Sequence, residues 1–314
     1  MQAIQIQATG GTEVLQLTEA PLPMLADGQV LIQVHAAGVN PVDAKTRRGA
    51  GVAANMGSFP WILGWDVSGV VVDSAADVES FQNGEAVFGM IGFPQPGRAY
   101  AQYAAASVVH LAPKPTTLSH VEAAALPLAT LTAWQAIFET AHLAAGQSIL
   151  IHAGAGGVGH LAIQLAKWKG AIVTTTASSH NLAFLEGLGV DQVVDYTRIP
   201  FETVVPPQDV VLDTVGGEVQ RRSFQVVKPG GHLVTILAAP PPELAVKYGV
   251  QANRILVRPE AETLNQIREL VDAGHLRPHL EAGSVFPLDQ VAQAHTAIES
   301  QRTRGKIVLQ MPIS

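Results

Sequence analysis

Two kinds of hydrophobic pattern divide the chain. Up to about residue 120 the apolar positions come in short runs rich in β-branched residues. Val30-Leu31-Ile32-Gln33-Val34 and Val70-Val71-Val72 read as strands. Turn pairs recur between such runs: Asp27-Gly28, Asn40-Pro41, Asn83-Gly84 and Pro96-Gly97. Many short strands punctuated in this way predict a small barrel-like β domain.

Near His120 the pattern changes to alternating strands and helices. Ser119 followed by Glu122 predicts a capping box at a helix start. Ser148 to His152 reads as an apolar strand, followed by a Gly-rich turn and an amphipathic helix through Leu161, Ile163, Leu165 and Ala166. Further strands are predicted at Ile172 to Thr176, Val193-Val194, Val210 to Leu212 and Leu233 to Ile236, with Ile255 to Val257 as an edge strand. Asn181 to Leu188 reads as a short helix closed by Gly189. Such βαβ alternation implies a parallel sheet with helices on both faces. The last portion predicts helices at Glu262 to Ala273 and around Leu288 to Ser300, then a strand from Lys306 to Gln310. Ala239-Pro240-Pro241-Pro242 reads as a stiff turn.

Composition narrows the function classes. At 47% hydrophobic and 14% charged, 314 residues support a sizeable core in two domains. The net charge is −7 and no basic stripe is present, which argues against nucleic-acid binding. With no cysteine, a disulfide framework, a thiolate nucleophile and a cysteine-ligated zinc are excluded. No apolar stretch approaches the ~20 residues of a membrane span, and the first residues lack a signal-peptide pattern. The expectation is a cytoplasmic protein with no membrane partner.

The strongest motif is Gly154-x-Gly156-x-x-Gly159, within Ala153 to Gly159, directly between a predicted strand and a predicted helix. In that context the first glycine permits a tight turn, the second lets the backbone approach a pyrophosphate, and the third allows close packing. Gly157 and Val158 complete the loop, and the helix N-terminus attracts phosphate charge. The end of the next strand, Thr174-Thr175-Thr176-Ala177-Ser178-Ser179-His180-Asn181, carries neither acid nor Lys or Arg. Without an acid to repel a 2′-phosphate, NADPH is expected over NADH, with Ser178 and Ser179 as neutral donors and NADH still accepted. Thr176 is the position at which an Asp should reverse that preference. The competing reading is that the two serines cap the next helix.

Six segments in order carry a family resemblance: Ala36 to Asp43, Gly64-Trp65-Asp66-Val67-Ser68-Gly69, Ala153 to Gly159, Asp213 to Gly217, Lys228-Pro229-Gly230-Gly231 and Gly305 to Leu309. Over nearly its whole length the chain resembles the zinc-independent, quinone oxidoreductase-like branch of the medium-chain dehydrogenase/reductases. The resemblance implies an α/β fold: a GroES-like β-barrel domain plus a Rossmann doubly wound parallel-sheet domain. The expected boundaries are 1–122 for the GroES-like catalytic domain, 123–260 for the Rossmann domain and 261–314 for a C-terminal segment completing the first. It also implies an NAD(P)H-dependent enzyme that transfers hydride to a small apolar quinone or enone, working as a homodimer that pairs edge strands, here Arg254 to Arg258.

Zinc relatives ligate their metal at places that correspond here to Asn40, Trp65 and Leu128, none a thiolate or imidazole, so no zinc is expected. By the same resemblance Asn40 is the candidate donor to the reacting oxygen, and Asp43 orients Asn40 or bonds the nicotinamide ribose. The plainer alternatives are an Asx turn for Asn40 and a helix cap for Asp43. Thr132 corresponds to a nicotinamide contact, and Tyr196 to an adenosine ribose or phosphate contact, unless Asp195 and Thr197 simply make a turn there. Phe59 to Leu63 and Phe88 to Phe93 are apolar loops that line the family's cleft or belong to the core. Two further functions stay open: a non-catalytic NAD(P)H-binding redox sensor, which would not consume NADPH with a 1,4-quinone, and a trans-acting enoyl reductase, which a basic docking patch would favour.

Overall fold

The structure is a computed structural model and describes residues 1–312. It comprises two compact units, Met1–Leu131 with Arg258–Gly274 and Pro278–Ser314, and Thr132–Val257 with His275–Arg277.

The first unit is built around the strand Gln29–Val39, whose residues alternate between half-buried and buried before its end sinks fully into the core. It pairs antiparallel with Asp66–Ser74, with Tyr103–Ser107 and with the C-terminal strand Ile307–Gln310. The C-terminal segment is therefore part of the first sheet. Two registers matter for the site. Ile307 faces Val39, which sets Lys306 beside Asn40, and Gly38 faces Asp66. Gly38 has no side chain because a Cβ there would lie 2.4 Å from the Ala124 carbonyl oxygen and 2.9 Å from Asp66 Cβ. The apolar loops are mainly core: Trp61, Leu63, Phe88, Met90, Ile91 and Phe93 are buried, while Phe59 is exposed and stacks on Trp61.

The second unit holds a six-stranded parallel sheet. Its order is Gln192–Asp195, Ile172–Ala177, Ser148–Ile151, Gln208–Asp213, Val227–Thr235, Gln251–Arg254. This is the 3-2-1-4-5-6 order of a doubly wound dinucleotide fold, with the sequence reversing direction beside Ser148–Ile151. The helix after that strand, Gly159–Trp168, buries Leu161, Ile163, Leu165 and Ala166, as its periodicity predicts. Ser119 and Glu122 form the expected capping box on His120–Ala124.

Two local expectations are corrected. The edge strand is Gln251–Arg254, not Ile255 to Val257. Its neighbour ends at Thr235, opposite Arg254, so the residues beyond have no strand to pair with. The proline run is not only a turn: Pro242 opens the helix Pro242–Tyr248, where the missing N–H costs nothing, and Gly249 closes it in a left-handed conformation (φ 66°).

Candidate functional site

The site residues fall into two groups, one in each unit. In the first unit Asp66 is a hub. Its Oδ2 accepts from Asn40 Nδ2 at 2.9 Å, and its Oδ1 accepts from the Leu128 backbone N–H at 2.8 Å. The Lys306 ammonium lies 3.6 Å from Oδ2 and donates to Asn40 Oδ1. All these side chains are buried, Asp66 completely. An ammonium has only donors and a carboxylate only acceptors, so the pair fixes which end of the Asn40 amide is oxygen. Burial pushes Asp66 up and Lys306 down from their ordinary pKa values, each opposed by the other's charge.

Asn40 also forms a capping box with Asp43 at the start of the helix Pro41–Arg47, so the turn reading of Asn40 stands beside its bonds to the two charges. Its side chain joins two charges, and its amide retains one further N–H. Asp43 sits in the helix Pro41–Arg47, and its Oδ2 accepts the Asn40 backbone N–H at 2.7 Å, the helix-cap reading of this residue. The same oxygen accepts from Tyr100 Oη at 2.7 Å, while Oδ1 has no partner among the described residues. Burial raises the Asp43 pKa to about 7, helped by the nearby Asp66 charge and opposed by its hydrogen bonds and Lys306. Behind Tyr100 lie His295 and Arg47. Arg47 Nη1 donates to His295 Nδ1 at 2.9 Å and Nη2 meets Glu299 at 2.6 Å. Burial lowers His295 to about 3, and Arg47 reinforces the shift.

These residues do not fit a zinc ion. The Trp65 indole is packed edge-on against Phe93 and donates to the Gln95 carbonyl oxygen. Leu128 offers only its backbone N–H, to Asp66. Asn40 and the Leu128 backbone, from two of the segments that correspond to metal-ligand segments in zinc relatives, are held here by the Asp66 carboxylate, and Asn40 also by the Lys306 ammonium. No cluster of three His, Cys, Asp or Glu suited to a metal occurs among the described residues.

In the second unit the loop His152 to Gly159 connects Ser148–Ile151 to its helix. Its three motif glycines differ in cause. A Cβ on Gly154 would lie 2.0 Å from Thr175 Oγ1, and one on Gly159 would lie 2.4 Å from the Ala153 carbonyl oxygen. Those two are packing glycines. A Cβ on Gly156 meets only that same oxygen, at 3.2 Å, and otherwise open space. Nothing inside the protein requires this glycine, which is what a ligand's approach would require. The helix N-cap, Val158, has no side-chain cap; of the first-turn N–H groups that of His160 is taken by the Gly156 carbonyl oxygen, and the positive end of the helix favours a phosphate. The loop therefore fits a dinucleotide pyrophosphate.

Thr132 is buried on the helix Pro127–Trp134. Ser178 is half-buried, and Ser179 and Tyr196 are exposed. Thr176 is not at the strand end: it is buried and its Oγ1 meets His152 Nδ1 at 3.0 Å. An Asp there would enter the interior, whereas Ser178, beyond the strand end, is half-buried. Parallel pairing of Ala177 with Asp195 brings a charge pair beside the serines that the linear sequence did not reveal. Ser179 Oγ donates to Asp195 Oδ2, and Arg198 Nε lies 3.4 Å from that oxygen. Asp195 also accepts from the Thr197 N–H and hydroxyl, so the turn reading of this segment holds as well.

Comparison with known proteins agrees with this geometry. Residues 26–116 match the alcohol dehydrogenase GroES-like domain, and residues 188–309 match the zinc-binding dehydrogenase domain. A 2-methylene-furan-3-one reductase of Solanum lycopersicum is 36% identical over 98% of this chain and 79% of its own. The chain belongs to the medium-chain dehydrogenase/reductases, in their quinone oxidoreductase-like group. Within that family, a chloroplastic NADPH-dependent alkenal/one oxidoreductase of Arabidopsis thaliana is 34% identical over 96% of this chain and 77% of its own. The solved quinone oxidoreductase of Coxiella burnetii superposes with a TM-score of 0.94 at 40% identity, covering 99% of both chains. The second matched domain is named for zinc binding, whereas the places that correspond to metal ligands in zinc relatives hold Asn40, Trp65 and Leu128 here.

Proposed function

We propose that this medium-chain reductase transfers hydride from NADPH to a quinone or conjugated enone without zinc. The observation that carries the reading is the Asp66 hub: of the residues that correspond to metal ligands, Asn40 is tied to Asp66 and Lys306, the Leu128 backbone to Asp66, and the Trp65 indole to the Gln95 carbonyl oxygen. Without a Lewis acid, alkoxide chemistry loses its usual stabilisation. A conjugated acceptor needs less, because hydride attack spreads charge onto a distant oxygen as an enolate. Relatives named as enone, alkenal and quinone reductases support this substrate class.

The cofactor, when bound, supplies the hydride. Gly154 to Gly159 cradle its pyrophosphate, with Gly156 giving the closest approach, and Thr132 contacts the nicotinamide. Ser178, Ser179 and Tyr196 hold the adenosine end, aided by Arg198. Asn40 presents its remaining N–H to the acceptor oxygen, and Lys306 and Asp66 fix and polarise that amide. Asp43 caps the helix that carries Asn40.

No helix among the described residues is long and apolar enough to cross a membrane; the cysteine-free composition supports a cytoplasmic protein. A homodimer through Gln251–Arg254 is supported by its place at the sheet edge and by exposed Val246 and Leu256 on either side of it in sequence. The deciding experiment follows NADPH absorbance with 1,4-quinones, enals, enones and saturated ketones, with product analysis. Turnover of conjugated acceptors alone is expected; equal turnover of saturated ketones would overturn the reading.

A further inference from the structure

His152 directly follows the strand Ser148–Ile151 and opens the phosphate loop, and it is buried in the second unit. Each ring nitrogen has a partner: Nδ1 lies 3.0 Å from Thr176 Oγ1, and Nε2 lies 2.9 Å from Ser223 Oγ. The partners' other bonds settle the direction. Ser223 Oγ is 2.7 Å from the Val219 carbonyl oxygen, which can only accept, so the Ser223 proton is committed there. Its oxygen must then accept from His152 Nε2–H. Nδ1 is left as the acceptor and takes the Thr176 proton. Thr176 Oγ1 in turn accepts the Ala153 backbone N–H at 3.3 Å. Every group in the run donates to the next: Ala153 N–H, Thr176, His152, Ser223, Val219 carbonyl.

The run starts inside the cofactor loop. Ala153 is a non-glycine residue at φ 51°, a left-handed conformation that needs external support. It ends on the helix Gly217–Ser223. The ring plane is held by Phe201, edge-on at 4.7 Å, which itself lies under Arg222. A further bond, from Thr214 Oγ1 to the His152 carbonyl oxygen at 2.8 Å, fixes the backbone at the same point.

We propose that His152, as its Nε2–H tautomer, is a positioning residue for the pyrophosphate loop, holding Ala153 in its left-handed turn through Thr176. This rests on the reading of Gly154 to Gly159 as the cofactor site. Both ring nitrogens are committed to Thr176 and Ser223, which leaves the ring no hydrogen bond to offer a substrate or cofactor. It acts by fixing where the loop's amides stand, so its loss weakens cofactor binding and leaves the chemical step intact. The small residue at Gly156 makes room for phosphate; His152 keeps that room in place.

The test measures the NADPH dissociation constant by nicotinamide fluorescence, with kcat and KM, for His152→Phe, Thr176→Val and Thr176→Ser. His152→Phe fills the ring's volume beside Phe201 without its hydrogen bonds. It is expected to weaken NADPH by roughly 5- to 15-fold, the size of one or two lost hydrogen bonds, with kcat within about threefold. Thr176→Val should do the same, and Thr176→Ser, which keeps the hydroxyl, should restore binding. Imidazole ¹⁵N spectra of the wild type should show a protonated Nε2 and an unprotonated Nδ1. Wild-type NADPH affinity in both His152→Phe and Thr176→Val, or a protonated Nδ1, would overturn the proposal. Should His152→Phe not fold, the Thr176 pair and the spectra still decide. Gly156→Val separates the two readings: if it too binds NADPH normally, the loop itself is not the site.

Discussion

Lys306 and Asp66 stand 3.6 Å apart in the buried heart of the first unit, with Asn40 bonded to both. One comes from the C-terminal strand and the other from the start of Asp66–Ser74, 240 positions earlier in the chain. Their meeting follows from the pairing of Ile307 with Val39 and of Gly38 with Asp66. A buried ion pair is weak evidence for stability in itself, but removing one partner strands the other charge.

Lys306→Met is therefore expected to destabilise the protein by about 3–5 kcal/mol, with Asp66→Asn also destabilising. The double variant, with no buried charge left over, should be more stable than the sum of the single effects predicts. Urea unfolding of all four proteins measures this. Strictly additive effects would mean that the two groups do not act as a pair.

Metal content gives a second test. With Asn40, Trp65 and Leu128 in the ligand positions, the purified protein should hold no stoichiometric zinc and keep full activity after chelator treatment. Elemental analysis finding one zinc per chain would contradict the mechanism proposed here.

The phosphate loop separates two kinds of glycine. Gly156→Val should leave the fold intact, since its Cβ meets only the Ala153 carbonyl oxygen at 3.2 Å, while NADPH affinity falls on the order of 100-fold. Gly159→Ala should instead destabilise the protein, because its Cβ meets backbone at 2.4 and 2.8 Å. Circular dichroism and cofactor titration distinguish the outcomes. Normal NADPH binding by Gly156→Val would remove the loop from the site.

The strands and the loop were legible because their patterns are local. Period-two and period-3.6 hydrophobicity, a capping box at Ser119 and glycines between strand and helix need only neighbouring residues. The hub was not, because Asp66 and Lys306 acquire their meaning from register between strands distant in sequence. The available signal was a charged residue opening an apolar strand, at Asp66 and again at Lys306. His152 was hidden for a similar reason: both its partners come from other elements of the sheet unit. The edge strand was misplaced because Ile255 to Val257 is apolar enough for a strand, and only the length of its neighbour decides that pairing stops at Arg254.

Stability should fall with acid. His152 is lowered to about 4 and His295 to about 3, both chiefly by burial. Both are neutral in the fold, while unfolded histidine titrates near pH ~6.5. Their contribution is complete above that value and is lost as pH falls towards 4 and 3, by about 1.4 kcal/mol per unit for each. Asp43 has the opposite sign: raised to about 7, its contribution is complete below the ordinary carboxyl value and is lost as pH rises through 7. Between pH ~4 and ~6.5 His152 and His295, joined by His120, which burial lowers to about 4, oppose Asp43 and the likewise raised Asp66, and the net effect favours higher pH. Asp43→Asn, which removes one of the opposing groups, should steepen the acid loss and raise stability at pH 8. Urea unfolding across the range checks both; a wild type that grows more stable from pH 7 to 5 would contradict the argument.

Cofactor preference turns on Ser178, Ser179, Asp195 and Arg198. Asp195 is an anion near the expected 2′-phosphate, but Ser179 and Arg198 both bind it, and hydrogen bonds from Ser179 and Thr197 hold its pKa below the ordinary range. Its charge is therefore offset by an exposed guanidinium that can swing to a phosphate. The expected preference for NADPH over NADH is 1–3 kcal/mol, or about 5- to 150-fold. Arg198→Ala should cut it by roughly 5- to 10-fold, by removing the charge-assisted bond and freeing Asp195 to repel phosphate. Ser178→Asp adds a second anion at the half-buried position beyond the strand end and should turn the enzyme towards NADH. Thr176→Asp should instead lose stability, because Thr176 is enclosed beside His152. The measurement is the ratio of kcat/KM for the two cofactors in wild type, Arg198→Ala and Ser178→Asp, with melting temperatures for Thr176→Asp. A wild type that prefers NADH tenfold, or an Arg198→Ala ratio equal to wild type, would show that this segment does not read the 2′-phosphate.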